Sequence, residues 1–462
     1  MSNSKTNPVL WTSADAAAAT GGTALGEWSI SGLSIDTRTL EEGDLFVPLK
    51  DVRDGHDFIN AAMAAGAGAT LTERDDTDAP ALKVTDAIKA LRDLGTTACM
   101  RSGAKRIAIT GSVGKTSVKE AAALMFAAFG QTHKSVKSYN NHWGVPLTMA
   151  RMPEASEYGI FELGMNHAGE LADLSRLLKP SIALITTVVG AHLAHFDSVK
   201  DIAKAKAEIM EGLSADGILI LNADNPHTPF IADMAKTAGK TVLTYGHDDT
   251  CDVVIVTAKS HVAGSNTRLR INSQQIDVTL QIPGDHWISN GAACMALAYA
   301  AGLDLRKAAR ALRDVAAQAG RGQVSEVQID AARKIMLIDD SYNANPASME
   351  AAIKTLGLSS GRRLAVLGDM FELGKNELDF HAGLAKPLEE HGVSRVITVG
   401  ECMRALKGAI PQSMRGAWAK DWDNALSALM DELQGGDTVL VKGSNGMKLG
   451  QLVKEIKSRG QN

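Results

Sequence analysis

The chain has 462 residues, 45% of them hydrophobic and 22% charged, the make-up of a packed globular protein of about three domains, without long disorder. Its 48 Lys and Arg against 53 Asp and Glu leave a net charge of −5, which argues against a nucleic-acid protein with a broad basic face. Four scattered cysteines (Cys99, Cys251, Cys294 and Cys402) supply neither a disulfide framework nor zinc-ligand spacing and fit a reducing compartment. Met1 to Gly22 is polar and alanine-rich, without the basic-then-apolar order of a signal peptide. No apolar run approaches the ~18 residues of a membrane span. A cytoplasmic protein with no membrane span is expected.

In chain order, residues 30–100 read as short apolar strands and small helices, with Asp44 to Leu49 and then Phe58 to Gly68, ending at a hinge at Ser102-Gly103. From Lys105 the rhythm changes. Ile107-Ala108-Ile109 is a compact buried-strand signal, followed by a glycine-rich turn and a helix carrying Val118, Ala122, Met125 and Phe129 at helical spacing. Further strands are predicted at Tyr158 to Leu163, Ile182 to Val188 and Gly217 to Asn222, with a helix from Val199 to Gly212. After Arg321-Gly322, strands are predicted at Ile335 to Asp339, Leu364 to Leu367, Arg395 to Val399 and Thr438 to Val441. Helices are expected between them at Ser348 to Leu356, Leu378 to His391 and Met447 to Lys457. Such alternation predicts an α/β protein with mainly parallel sheets covered on both faces.

The strongest chemical signal is Thr110-Gly111-Ser112-Val113-Gly114-Lys115-Thr116-Ser117, where a strand ends in a glycine loop that opens a helix. Successive backbone N–H groups and the helix N-terminus favour phosphate oxygens, Lys115 suits the β- and γ-phosphates of a nucleotide, and the Thr116 hydroxyl suits Mg²⁺. The spacing departs from the general P-loop pattern, because Ile109 stands five residues before Gly114 and the glycine comes at Gly111. A P-loop needs an acidic partner at the end of a neighbouring strand, and Glu162 closes the apolar run Tyr-Gly-Ile-Phe. An unpaired carboxylate there would be costly to bury; taken alone, a solvated strand-end Glu would fit as well as a metal ligand, and beside a P-loop the ligand reading is the better one. Ile338-Asp-Asp-Ser-Tyr-Asn-Ala-Asn-Pro-Ala-Ser348 places a dense polar loop at a strand end, where open α/β sheets bind ligands. A lone His192 or Lys206 would not be selected by residue chemistry, since such groups are usually structural or solvated.

Together these segments resemble the Mur ligases, the ATP-dependent amide-forming enzymes of peptidoglycan synthesis, in order over nearly the whole chain. The resemblance implies three α/β domains. These are a small N-terminal domain (1–103) for the UDP-substrate, a central P-loop parallel-sheet ATPase domain (104–318), and a Rossmann-like C-terminal domain (319–462) for nucleotide closure and the incoming amine. It further implies ATP held by Thr110 to Ser117, Asn290, Arg321 and Asp340. Two Mg²⁺ ions are implied at Thr116, Glu162, His192 and Lys206, with Lys206 carbamylated. Lys115, Glu162, His192 and Lys206 become the catalytic set. Ser34, Asp36, Thr37 and Arg38 match a segment holding the UDP end. Asn140, Asn141, Tyr342, Asn343 and Asn345 lie in segments similar to those of the ligases that use UDP-N-acetylmuramoyl-tripeptide and D-alanyl-D-alanine. This chain differs from the usual pattern at His142-Trp143, Ala194-His195, Trp287 and Asn445. A monomer is expected. A diaminopimelate- or lysine-adding relative, a folylpolyglutamate synthetase-like ligase and a P-loop regulatory module remain the alternatives.

Overall fold

The strand Lys105–Thr110 is buried on both sides: Ile107 and Ile109 point into one apolar core and Ala108 into another. This explains why its sequence is an unbroken apolar run, since a parallel strand covered on both faces has no solvent side. The same division holds for the strand Ile182–Ile185, with Ile182 and Leu184 in the first core and Ala183 and Ile185 in the second. The computed structural model describes residues 8–50, 52–136, 138–190 and 195–459.

These strands lie inside a nine-stranded sheet. Its order is Gln274–Leu280, Gly264–Ile271, Val253–His261, Thr241–Gly246, Ile218–Asn222, Ile182–Ile185, Lys105–Thr110, Tyr158–Glu162, Thr132–Lys134. From Val253–His261 to Thr132–Lys134 every pairing is parallel. The carboxyl ends of three central strands are level, because Glu162 pairs with Ile109 and Ile185 with Thr110. A six-stranded sheet follows in the order Gln323–Gln328, Lys334–Asp340, Thr438–Lys442, Arg363–Gly368, Arg395–Val399, Arg415–Ala419, parallel except for its first strand. At the amino-terminal end a five-stranded sheet (Thr23–Leu25, Ala81–Lys83, Ala69–Thr72, Asp44–Phe46, Gly32–Ser34) and a short pair, Trp11–Thr12 with Ser29–Ile30, share one small core. The α/β class agrees with the sequence pattern. No helix among the described residues is long and apolar enough to cross a membrane.

Several local expectations are corrected. The region expected to hold only small helices contains the 15-residue helix Ala87–Arg101, capped by Asp86. It lies close against the helix Gly144–Ala150, where a Cβ on Gly95 would stand 2.9 Å from the Pro146 carbonyl. At Ser102-Gly103, where a hinge was expected, Ser102 is buried, and its hydroxyl donates to the Ser156 carbonyl at 3.1 Å and accepts from the Ala104 N–H. The expected helix from Leu378 to His391 is two pieces, Glu377–Ala382 and Ala385–Glu390. Pro387 has no N–H to offer the preceding turn, so the ladder cannot run through. The helix expected to reach Gly212 is α-helical only over Val199–Ala207 and tightens to a 3₁₀ turn over Glu208–Gly212. Phe129 falls just beyond its helix, Lys115–Ala127. The three strands over Val253–Leu280 form an antiparallel extension that the reading for alternating strands and helices passed over. Their outer two alternate buried and exposed residues, as a sheet with one wet face requires, and Asn272 makes the second turn at φ 52°.

Candidate active site

The loop after Lys105–Thr110 is shaped by contacts that demand glycine. Gly111 has φ 152°, and a Cβ there would sit 1.9 Å from the Thr186 hydroxyl, which is itself donated to the Val113 carbonyl at 2.6 Å. Gly114, at φ 85°, caps the helix Lys115–Ala127. The loop therefore lies flat against the adjoining strand end, with helical N–H groups exposed towards the cavity above it. Lys115 curls back over this loop, donating to the Gly111 carbonyl at 2.6 Å. Burial lowers its pKa, and the nearby Glu162 works in the opposite direction.

Glu162 is 1% exposed, and both of its oxygens are engaged. Thr116 Oγ1 donates to Oε2 at 2.8 Å and Asn140 Nδ2 donates to Oε1 at 2.8 Å. The Glu162 N–H donates to the Ser135 hydroxyl. A buried carboxylate whose direct partners are neutral donors, beside a threonine oxygen, is an oxygen-ligand set of the type that suits Mg²⁺. Lys206 is also buried, at 2% exposure. Burial first, and the like charge of Lys115 second, push its pKa well below the ordinary lysine value.

The six-stranded sheet closes the site from the other side. Arg321 Nη2 donates to the Ser138 hydroxyl at 3.2 Å and its guanidinium lies 4.1 Å over the ring of Tyr342. Asp340 ends one strand and Lys442 the neighbouring one. They are register partners, and Lys442 Nζ donates to Asp340 Oδ2 at 2.7 Å and to the Asn343 carbonyl at 2.9 Å. Asn345 caps the helix Pro346–Gly357 by accepting the Ser348 N–H. Asn290, 8% exposed on the helix Asp285–Ala300, lies against the glycine loop, with its Oδ1 3.2 Å from where a Cβ on Gly114 would be.

Between the two sheets is a cavity of about 570 Å³, lined by residues 112–117, Asn140, Glu162, Asn290, Arg321, Asp340, Tyr342, Asn343 and Asn345. Thr110 ends the strand beneath it and Gly111 begins the loop, while Lys206 is buried outside its wall. Ser34, Asp36, Thr37 and Arg38 are not brought to the cavity. Arg38 is clamped to Asp36, with Tyr139, next to Asn140, in electrostatic range. Asn141 is occupied as an acceptor for the Gly144 N–H. His192 and Ala194 lie outside the described residues. Trp287 is absorbed into the core behind the site. The sequence reading missed Ser138, Thr186, His286 and Lys442 in the cavity wall. Lys442 carried the same signal as Glu162, a charge closing an apolar strand. Ser138, one serine in a polar loop, carried none.

A glycine loop opening a helix at the carboxyl edge of a parallel sheet, roofed by a second α/β sheet bearing an arginine, is an arrangement of the P-loop class, suited to phosphate oxygens and enclosed between two parts of the chain. Residues 109–298 match the Mur ligase middle domain and residues 320–445 the Mur ligase glutamate ligase domain. The UDP-N-acetylmuramoyl-tripeptide--D-alanyl-D-alanine ligase of Escherichia coli K12 is 36% identical, over 94% of this chain and 95% of that relative. The ligase of the same name from Rickettsia prowazekii is 32% identical, over 91% and 94%. A crystal structure of MurF from Acinetobacter baumannii superposes with a TM-score of 0.85 at 28% identity, covering 97% of this chain and 99% of that one. The chain belongs to the Mur ligase family.

Proposed function

We propose that this protein joins D-alanyl-D-alanine to UDP-N-acetylmuramoyl-tripeptide at the expense of ATP, completing a peptidoglycan precursor in the cytoplasm. The observation that carries the reading is the meeting of Lys115, the Thr116–Glu162 pair and Arg321 around one cavity, in a chain whose relatives bear that ligase name. A carboxylate is a poor electrophile and does not condense with an amine at neutral pH. Transfer of the γ-phosphoryl group to the tripeptide carboxylate releases ADP and leaves an acyl phosphate. Attack by the dipeptide amine then forms the amide and releases phosphate. Phosphoryl transfer asks mainly for positioning and charge neutralisation.

In this reading residues 110–117 cradle the phosphates, Lys115 leaves its loop carbonyls for the β/γ oxygens, Asn290 flanks the nucleotide, and Arg321 and Asp340 close over it. Thr116 and Glu162 would hold one Mg²⁺, and Glu162, His192 and Lys206 would serve a second. Bound there, Mg²⁺ supplies charge neutralisation on the phosphates. The depressed pKa of Lys206 favours a neutral amine, which can bond to the carbon of CO₂ and lose a proton to give a carbamate anion. Asn140, Asn141, Tyr342, Asn343 and Asn345 face or flank the substrates, and Ser34, Asp36, Thr37 and Arg38 hold the UDP end. The division of labour is UDP-substrate on 1–103, ATP on 104–318, and closure with dipeptide binding on 319–462, in a monomer. Closure over the cavity would keep water from the acyl phosphate.

The test is incubation with ATP, Mg²⁺, UDP-N-acetylmuramoyl-tripeptide and D-alanyl-D-alanine, with mass detection of the pentapeptide product. The expected result is that product with stoichiometric ADP and phosphate. ATP hydrolysis indifferent to both substrates, without a new amide, would overturn the reading in favour of a P-loop regulatory module. Phosphate release accelerated by diaminopimelate, lysine or glutamate, and not by D-alanyl-D-alanine, would favour another ligase.

A further inference from the structure

Ser138 receives contacts from three segments of the chain at once. Arg321 Nη2 lies 3.2 Å from its oxygen, Tyr342 Oη 3.3 Å and Thr116 Oγ1 3.5 Å. Two of these partners belong to the segments flanking the first strands of the six-stranded sheet, 183 and 204 residues further along the chain, and the third to the P-loop helix. The hydrogens can be assigned. Thr116 spends its own on Glu162 Oε2, so its oxygen can only accept. The hydrogen between Thr116 and Ser138 must then come from Ser138. A serine oxygen that donates once still accepts twice, and Arg321 and the Tyr342 hydroxyl are the two donors present. The result is a one-way chain, from Arg321 and Tyr342 to Ser138, to Thr116, to Glu162. Because the Arg321 guanidinium stacks on the Tyr342 ring, the two donors are held as a unit.

We infer that Ser138 is a positioning residue that couples the seating of Arg321 and Tyr342 over the cavity to the orientation of the Thr116–Glu162 pair, so that the phosphate site is completed only when the six-stranded sheet is docked. The inference rests on the ligase reading for its consequence in turnover, but its geometry does not depend on which amine is joined. Side-chain chemistry restricts the position. The group must donate and accept at one atom and be short enough to stand between three partners, which serine and threonine satisfy and alanine does not. Ser138 is half-buried in a loop and belongs to no hydrophobic core, so its hydroxyl can be removed without opening a cavity in packed structure.

Five purified full-length proteins test this: wild type, Ser138→Ala, Tyr342→Phe, the double variant, and Ser138→Thr as the rescue. Amide formation gives kcat/KM for ATP, and calorimetry gives binding of a non-hydrolysable ATP analogue with Mg²⁺. Ser138→Ala should lose roughly tenfold in both, the change expected for one hydrogen bond to a charged group, while its Tm stays at the wild-type value. Ser138→Thr should restore most of the loss. The double variant should be no worse than the poorer single one, because both substitutions break the same chain. Wild-type values in Ser138→Ala, equal losses in Ser138→Ala and Ser138→Thr, or losses that multiply in the double variant would each overturn the inference. A wild-type protein that makes no amide would sink the ligase reading alone, since the calorimetric cycle reports the coupling without turnover.

Discussion

The Thr116 hydroxyl and the Glu162 carboxylate meet at 2.8 Å across 46 residues of chain. The contact exists because the P-loop helix starts over the carboxyl edge of the sheet and Glu162 closes the strand beside it, in register with Ile109. Asn140 satisfies the other carboxylate oxygen, so the group is fixed before any ligand arrives.

Glu162→Gln keeps the shape and removes the charge. Phosphate release in the complete reaction should fall by at least ~10², the scale for removing one preorganised electrostatic group from a site of charge transfer. The urea midpoint should change little, since the amide oxygen can still accept from Thr116 and Asn140 can turn its own amide oxygen towards the new NH₂ group. Undiminished phosphate release would overturn the proposed role of Glu162 in holding Mg²⁺.

Lys206 makes stability depend on pH in a definite direction. Its folded pKa is lowered, so between that value and the ordinary value near 10.5 the unfolded chain binds more protons. Stability should therefore rise with pH across this window and level off outside it. In bicarbonate-free buffer, Tm measured from pH 7 to 9 should climb more steeply for wild type than for Lys206→Met. Lys206→Met should be the more stable protein at pH 7, yet turn over at least ~10-fold more slowly, as losses around metal ligands commonly do. Partial recovery with added acetate is expected, and identical pH slopes for the two proteins would contradict this account of the amine.

Lys442 and Asp340 form a largely buried ion pair that joins two neighbouring strand ends. Removing either partner leaves the other charge desolvated, so Asp340→Asn or Lys442→Met should cost about 3 kcal/mol in urea unfolding. The double substitution should cost less than the sum of the two. Strict additivity would show that the pair is not coupled in solution.

Gly111→Ala tests the packing of the loop. Its Cβ would collide with a β-branched Thr186 that is already hydrogen-bonded, so the loop must lift from the sheet. Calorimetric binding of ADP should be abolished or weakened by at least ~10², with a lower Tm. ADP binding at wild-type strength would show that the loop tolerates the displacement.

The P-loop was legible because it is local: glycines, lysine and threonine follow one another, and a strand and helix on either side fix what they do. Glu162 was legible because a carboxylate ending an apolar strand violates burial unless something compensates it. The parallel strands were legible for the same local reason, a short apolar run covered on both faces. The helix Ala87–Arg101 was not, because its buried face mixes small residues (Ala87, Ala90, Gly95, Ala98) with only two leucines, Leu91 and Leu94, and Gly95 makes sense only once Gly144–Ala150 is seen to approach it.

The chain by itself thus determined the α/β class and the phosphate loop, features set by periodicity and by residues adjacent in sequence. The tertiary structure alone decided that Arg321, Tyr342 and Ser138 converge, that Asp340 is spoken for by Lys442, and that Lys206 loses its solvent. Each of these is a long-range relation whose energy comes from desolvation and hydrogen-bond geometry, and neither exists until strands from distant parts of the chain lie edge to edge.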